Sequence, residues 1–141
     1  MSNLDPIFMK AVAEQLSFVS AFLGGVSATI LVTIVVFANP KKSVTWIVGA
    51  SALAACSLLV AVIASWRLTI FLNPATPVPV DPSIIRVLWG SMLLGYGLGF
   101  LSLLVCIGLS GWIRSRKTGL ITSAMAVVSV VFFVLATPYG L

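Results

Sequence analysis

Apolar residues dominate four long stretches of this sequence, and polar, charged and helix-breaking residues collect between them. The uncharged apolar runs cover Leu16 to Ala38, Val44 to Trp66, Val87 to Ser110 and Leu120 to Ala136. At about 1.5 Å of rise per residue, each run when helical covers most or all of a roughly 30 Å hydrocarbon layer. A transmembrane β-barrel would alternate polar and apolar residues in segments of about ten, and no such alternation is present. The pattern predicts an all-α integral membrane protein: an antiparallel four-transmembrane-helix bundle in a single membrane domain over 1–141. The breaks are chemically explicit. Asn39-Pro40-Lys41-Lys42 closes the first run, a Pro-rich loop over 73–82 separates the second from the third, and Arg114 to Gly119 separates the third from the fourth. Pro, Gly and clustered charge are costly inside a bilayer unless compensated.

Local signals refine the helix ends. Asp5-Pro6 and Asp81-Pro82 each place a carboxylate at an N-cap before a Pro at the first helical position, where its missing N–H costs nothing. The first helix is thus expected to open at Pro6. Its first turns, with Ile7, Phe8, Lys10, Ala11, Glu14 and Gln15, form an amphipathic N-terminal extension in or near the interface. The second helix is expected to overrun its span through Leu68 to Leu72 while Arg67 snorkels to water. Trp46 and Trp66 bracket the second span, and Trp89 and Trp112 the third, as an interfacial aromatic belt would. The first run is too long for the apolar region of a secretory signal peptide.

Small residues are patterned inside the spans. On the first helix Ser17, Ser20, Ala21, Gly24, Ser27 and Ala28 recur at spacings of three and four, opposite Val19, Phe22, Leu23, Val26 and Ile30. On the third, Ser91, Gly95, Gly99, Ser102 and Cys106 make a comparable stripe with a GxxxG pair. Such stripes let helix backbones approach closely and let hydroxyls bond across helices, which matters where lipid removes the hydrophobic drive. Two readings of the first-helix stripe stay open: Ser17, Ser20, Gly24 and Ser27 pack against neighbouring helices, or they line a pore in an oligomer. The second helix is small nearly all round and is expected to be the most buried. The fourth, rich in Val and Phe, is expected to face lipid most. Cys56 and Cys106, both inside spans, read as free thiols that pack as small apolar residues.

Composition narrows the chemistry. Apolar types make up 60% of the chain and charged types 8%, against about a quarter charged in soluble domains. No His is present, which removes the commonest general base and metal ligand. No Asp, Glu, Lys, Arg or His lies in the central part of any run, so proton- or ion-coupled transport and intramembrane hydrolysis lack their usual groups. The expectation is no enzyme, no cofactor and no metal. The net charge of +5 falls entirely on two connections: Lys41 and Lys42 in the first, and Arg114, Arg116 and Lys117 in the third. Lys10, Arg67 and Arg86 balance Asp5, Glu14 and Asp81 elsewhere. The positive-inside rule then puts connections one and three in the cytoplasm and both termini on the other side. The same five cations are candidates for contact with lipid headgroups. Split over two short loops, they make no nucleic-acid surface.

Gly95-Tyr96-Gly97 resembles a potassium-channel filter only in those three letters, because Leu93-Leu94 precede it in mid-span where a filter has Thr-Val after a pore helix. In plan, with four spans, a small-residue first helix and a Leu72-Asn73-Pro74 break, the chain resembles the Orai calcium-channel family. It departs from that family in having no acid at either end of a pore-lining first span and in its opposite charge-based orientation, so no activity is carried over. The expected function is that of a non-enzymatic accessory or structural subunit, with the lipid bilayer and other membrane subunits or copies of itself as partners. The alternative is a homo-oligomeric pore lined by the Ser/Gly face of the first helix.

Overall fold

In a computed structural model the chain is all-helical. The structure describes residues 6–37, 42–73 and 81–136. Four helices carry them: α1 (Pro6–Phe37), α2 (Lys42–Phe71), α3 (Pro82–Arg114) and α4 (Arg116–Ala136). Each contains a stretch long and apolar enough to cross a membrane. Helices are the form such sequences must take in lipid, because every backbone N–H and C=O then finds its partner within the segment. Mid-helix hydroxyls follow the same economy. Ser65 donates to the Ala61 carbonyl at 2.7 Å, Ser91 to Val87 at 2.8 Å and Ser129 to Met125 at 3.0 Å, each four residues back.

The helix ends agree with the local signals where they are described. Asp81 accepts a bond from the Ser83 N–H at 2.9 Å, and Pro82 opens α3 behind it. That backbone bond, with a second from the Ser83 side chain, holds the exposed Asp81 carboxyl below the usual carboxylate range. Asp5 lies outside the described residues, as do Lys41 and the stretch 74–80. α2 runs past Arg67 to Phe71, and the Leu72 N–H still bonds to the Leu68 carbonyl at 2.9 Å. The third connection is shorter than expected. The break is not Arg114 to Gly119 but the single residue Ser115. Ser115 N–H still bonds to the Gly111 carbonyl of α3, while its Oγ accepts the Thr118 N–H at 3.1 Å and its carbonyl accepts the Gly119 N–H. It thus ends one helix and caps the next. Arg116 and Lys117, read as loop charges, form the first turn of α4.

By their contacts the residues fall into two compact units that interleave along the chain. Unit one is Met1–Val26 with Ala55–Gly99, and unit two is Ser27–Ala54 with Phe100–Leu141. The core of unit one is Ala13, Ala64, Leu68, Trp89 and Met92, with Met9, Val12 and Leu16 of α1 packed against it. The opening turns of α1 are therefore part of the helix and docked on one side, while Ile7 and Phe8 stay exposed. Trp89 corrects the aromatic-belt expectation. It is 3% exposed and belongs to the core, whereas Trp46, Trp66 and Trp112 are exposed. The reason is that α3 begins seven residues before Trp89, so the indole lies within the helix and packs in one buried cluster with the small residues Ala13 and Ala64. α2 shares greatest burial with α3, at 33% of the apolar stretch each, against 11% for α1 and 6% for α4.

Candidate functional site

The stripe on α1 is a seam rather than a broad face. Ala13, Ser20, Gly24 and Ser27 are buried and Ser17 is half-buried, while Ala21 and Ala28, placed on the same side by spacing, are exposed. Gaps of seven, four and three residues keep one narrow line of a helix turned inward, the repeat of coiled-coil packing. In unit one the seam meets α2 at Gly24, where a Cβ would lie 3.5 Å from that of Leu58. Side-chain contact is thus ordinary there, and Gly24 has some room to spare. In unit two the seam meets α2 again, by a hydrogen bond. Ser27 Oγ donates to the Ser51 carbonyl at 2.9 Å, both residues being fully buried. The Ser51 hydroxyl turns back to the Val48 carbonyl at 3.0 Å. Ser20 differs from Ser27, since its fully buried Oγ has no hydrogen-bond partner among the described residues.

The α3 stripe is seated in the same way. At Gly95 a Cβ would lie 2.9 Å from the Ser57 carbonyl oxygen and 3.1 Å from the Ala61 nitrogen. Those are backbone atoms that cannot turn aside, so only Gly admits α2 this closely. At Gly99 a Cβ would collide with Leu58. The GxxxG pair is therefore an α2–α3 contact within unit one. Ser91 and Ser102 flank it half-buried, and Gly97, between the two, has open space around it. Since α3 is continuous helix from Pro82 to Arg114, Gly95-Tyr96-Gly97 is no filter loop.

Unit two contains a contact the sequence did not single out. Gly108, Gly111 and Trp112 of α3 lie against Gly119, Thr122, Ser123 and Ala126 of α4. Thr122 Oγ1 reaches the Gly108 carbonyl at 3.0 Å and the Thr118 carbonyl at 3.1 Å, and Trp112 Nε1 donates to Ser123 Oγ at 3.1 Å. Phe100 stacks on Phe133 at 4.9 Å between centroids. As positions on α3 fall from 112 to 100, their partners on α4 rise from 119 to 133, so the two helices turn back on each other at Ser115. The sequence carries this pair as Gly108-x-x-Gly111 and Gly119-x-x-Thr122, but the four residues straddle the ends of two apolar runs, with Gly119 in the expected break, so no single run displays them as a stripe.

The remaining residues are placed as follows. Arg116 and Lys117 are exposed at the start of α4, Lys42 and Arg114 lie on helix ends with side chains outside the described set, and Lys41 is wholly outside it. Both cysteines are free thiols; Cys106 is buried, but Cys56 is exposed and packs less than expected. Among the described residues no three of His, Cys, Asp and Glu gather as metal ligands would. No family model matches the chain, and no curated protein or solved structure matches it either.

Proposed function

We propose that this protein is a non-enzymatic, multi-pass membrane subunit, an antiparallel four-helix bundle that packs into a larger membrane assembly. The observation that carries this reading is the contrast in burial among the helices. Only 11% of the apolar stretch of α1 and 6% of that of α4 are covered by the chain itself. On α1 the uncovered positions include the small residues Ala21, Gly25, Ala28 and Thr29, and a Cβ on Gly25 would meet nothing. Small exposed residues on a spanning helix admit another helix at short distance. The antiparallel order is supported inside unit two, where Gly111 meets Thr118 and Gly119 while Gly108 meets Ser123 and Ala126. The pore alternative draws no support from the seam, since Ser20, Gly24 and Ser27 are buried within one chain.

The mass of the complex purified in mild detergent tests this reading. Other polypeptides in fixed ratio are the expected result. A symmetric homo-oligomer with thiol-accessible cysteines substituted at Ser17, Ser20 and Ser27 would favour the pore, and a stable monomer would refute both. Orientation follows from the charge asymmetry, with connections one and three cytoplasmic and both termini on the opposite side. A reporter fused after Leu141 that is active only in the cytoplasm would overturn it.

A further inference from the structure

Unit two carries a groove of about 550 Å³ between α3 and α4 that no side chain of the described residues fills. Leu101, Leu104 and Val105 form one wall, and Val127, Val130 and Val131 the other. Ser123 is the one hydroxyl on its surface, and it lies at the end nearest the α3–α4 connection. The close approach at Gly108 sets the floor: a Cβ there would lie 3.6 Å from that of Ala126. Glycine opposite alanine brings the backbones together at one level and leaves the longer side chains parted beyond it.

The polar end of this groove is distinctive. Trp112 Nε1 and Ser123 Oγ are bonded to each other there. Six residues before Ser123, roughly 9 Å along the helix, stands Lys117, with Arg116 beside it, both exposed. No acid occurs anywhere in unit two, from 27 to 54 or from 100 to 141. A slot that is apolar along its length and leads toward a cationic, indole-marked end matches one kind of molecule, a lipid with an anionic headgroup. The acyl chain takes the dry part, and the phosphate faces the cations across the depth of the glycerol. A protein helix fits less well. A helix about 10 Å across is wider than a single acyl chain and brings no phosphate to the cationic end.

We infer that this groove, with Arg116 and Lys117 at its end, is a binding site for one acyl chain and the phosphate of an anionic phospholipid. The inference rests on the reading that the four helices lie in a bilayer. It goes beyond general attraction of basic loops to anionic membranes, because it joins the headgroup preference to a particular apolar slot. Each cation near a membrane surface adds about a fivefold preference for anionic lipid, so the pair sets a clear selectivity.

The test uses the full chain in phosphatidylcholine vesicles containing a minor fraction of acyl-brominated lipid, whose bromines quench indole fluorescence on contact. Trp112, next to the groove, is the reporter, isolated by subtracting the signal of Trp112→Phe. Brominated phosphatidylglycerol is expected to quench Trp112 about fivefold or more above brominated phosphatidylcholine at equal fraction. Val130→Phe, which fills the slot, and the double variant Arg116→Gln/Lys117→Gln, which leaves the slot open, should each abolish the difference. Arg67→Gln, which removes an exposed cation from unit one, should preserve it. Equal quenching by the two lipids in the unaltered chain would overturn the site while leaving the membrane reading intact. So would a preference that survives Val130→Phe, or one lost with Arg67→Gln. If Val130→Phe fails to fold, Val127→Phe, which narrows the slot from the same wall, takes its place. Absence of quenching by vesicles made wholly of brominated phosphatidylcholine would instead refute the embedding, and the site with it.

Discussion

In unit one, α2 and α3 meet where Gly95 lets backbone touch backbone and where Leu68, Trp89 and Met92 fill the space between, so shape holds the helices. In unit two close packing at Gly111 and Gly119 and the Phe100–Phe133 pair is joined by hydrogen bonds from hydroxyls and an indole: Ser27 to the Ser51 carbonyl, Thr122 to the Gly108 carbonyl and Trp112 to Ser123. Both are answers to one problem. Lipid is as apolar as Leu, so burial of an aliphatic side chain between membrane helices gains packing but no relief from water. Unit one recovers the loss by many short dispersion contacts, each about 0.1–0.2 kcal/mol. Unit two adds to its packing a few directional bonds averaging about 0.6 kcal/mol each in such settings. Shape tolerates no added atom, whereas a hydrogen-bonded contact tolerates small changes and fails when a donor is removed. The two halves of the same helices should therefore respond to different mutations.

The largest expected effect comes from adding volume to unit one. Gly95→Val drives methyl groups into the Ser57 carbonyl and the Ala61 nitrogen, and should cost about 2–3 kcal/mol in detergent-titrated unfolding. Gly97→Ala, two positions along with open space around it, should be neutral or slightly stabilising. Equal loss at both glycines would mean that helix propensity rather than close approach governs α3. Next comes removal of a donor from unit two. Ser27→Ala deletes the bond to Ser51 and should cost about 0.6 kcal/mol, at most about 1.7. Ser20→Ala reverses the sign in unit one, because its hydroxyl is buried without a partner. Loss of that unsatisfied group should leave stability unchanged or raise it by up to about 1 kcal/mol. Were both serines to destabilise alike, the contrast between the units would collapse.

The smallest effect is expected from pH. Asp81 has its folded pKa lowered by the Ser83 bonds, so its contribution is present above the ordinary carboxylate pKa and is lost as pH falls through the lowered folded value. Thermal unfolding followed by circular dichroism should show a slight loss of stability below about pH 4. Asp81→Asn, which keeps an N-cap acceptor, should diminish that pH dependence while leaving the helix start in place. An undiminished acid transition in the variant would show that other carboxylates set it.

What could be read from the sequence follows the same division. Spans are legible because each depends only on its own composition, and Asp81 is legible because a cap acts within three residues. The buried positions Ser20, Gly24 and Ser27 were found by spacing, but spacing alone named neither Ser51 nor Leu58 as their counterparts. Ala21 and Ala28 were misplaced because small size shows that a residue can pack closely, not that it does. Trp89 reads as a belt residue because hydropathy ends the span near it, while the helix runs back to Pro82 and the indole joins the buried cluster of Ala13 and Ala64. Ser115 escaped notice because three neighbouring cations read as loop, although Ser115 and Thr118 form a local cap of the kind recognised at Asp81. The groove between α3 and α4 could not be foreseen, since a void is a property of two surfaces together.

The one-residue connection at Ser115 also sets a schedule for biogenesis. Ribosomes add about 5–20 residues per second, and α4 is 21 residues long, so α3 is complete roughly 1–4 s before its partner. Until Thr122 is added, roughly 0.4–1.6 s after Arg114 at that rate, the Gly108 carbonyl lacks its donor and the notch at Gly111 stands uncovered. A single linking residue gives the arriving helix almost no tether with which to wander. Once synthesised, α4 is delivered directly beside α3, so the closure of the pair is timed by translation.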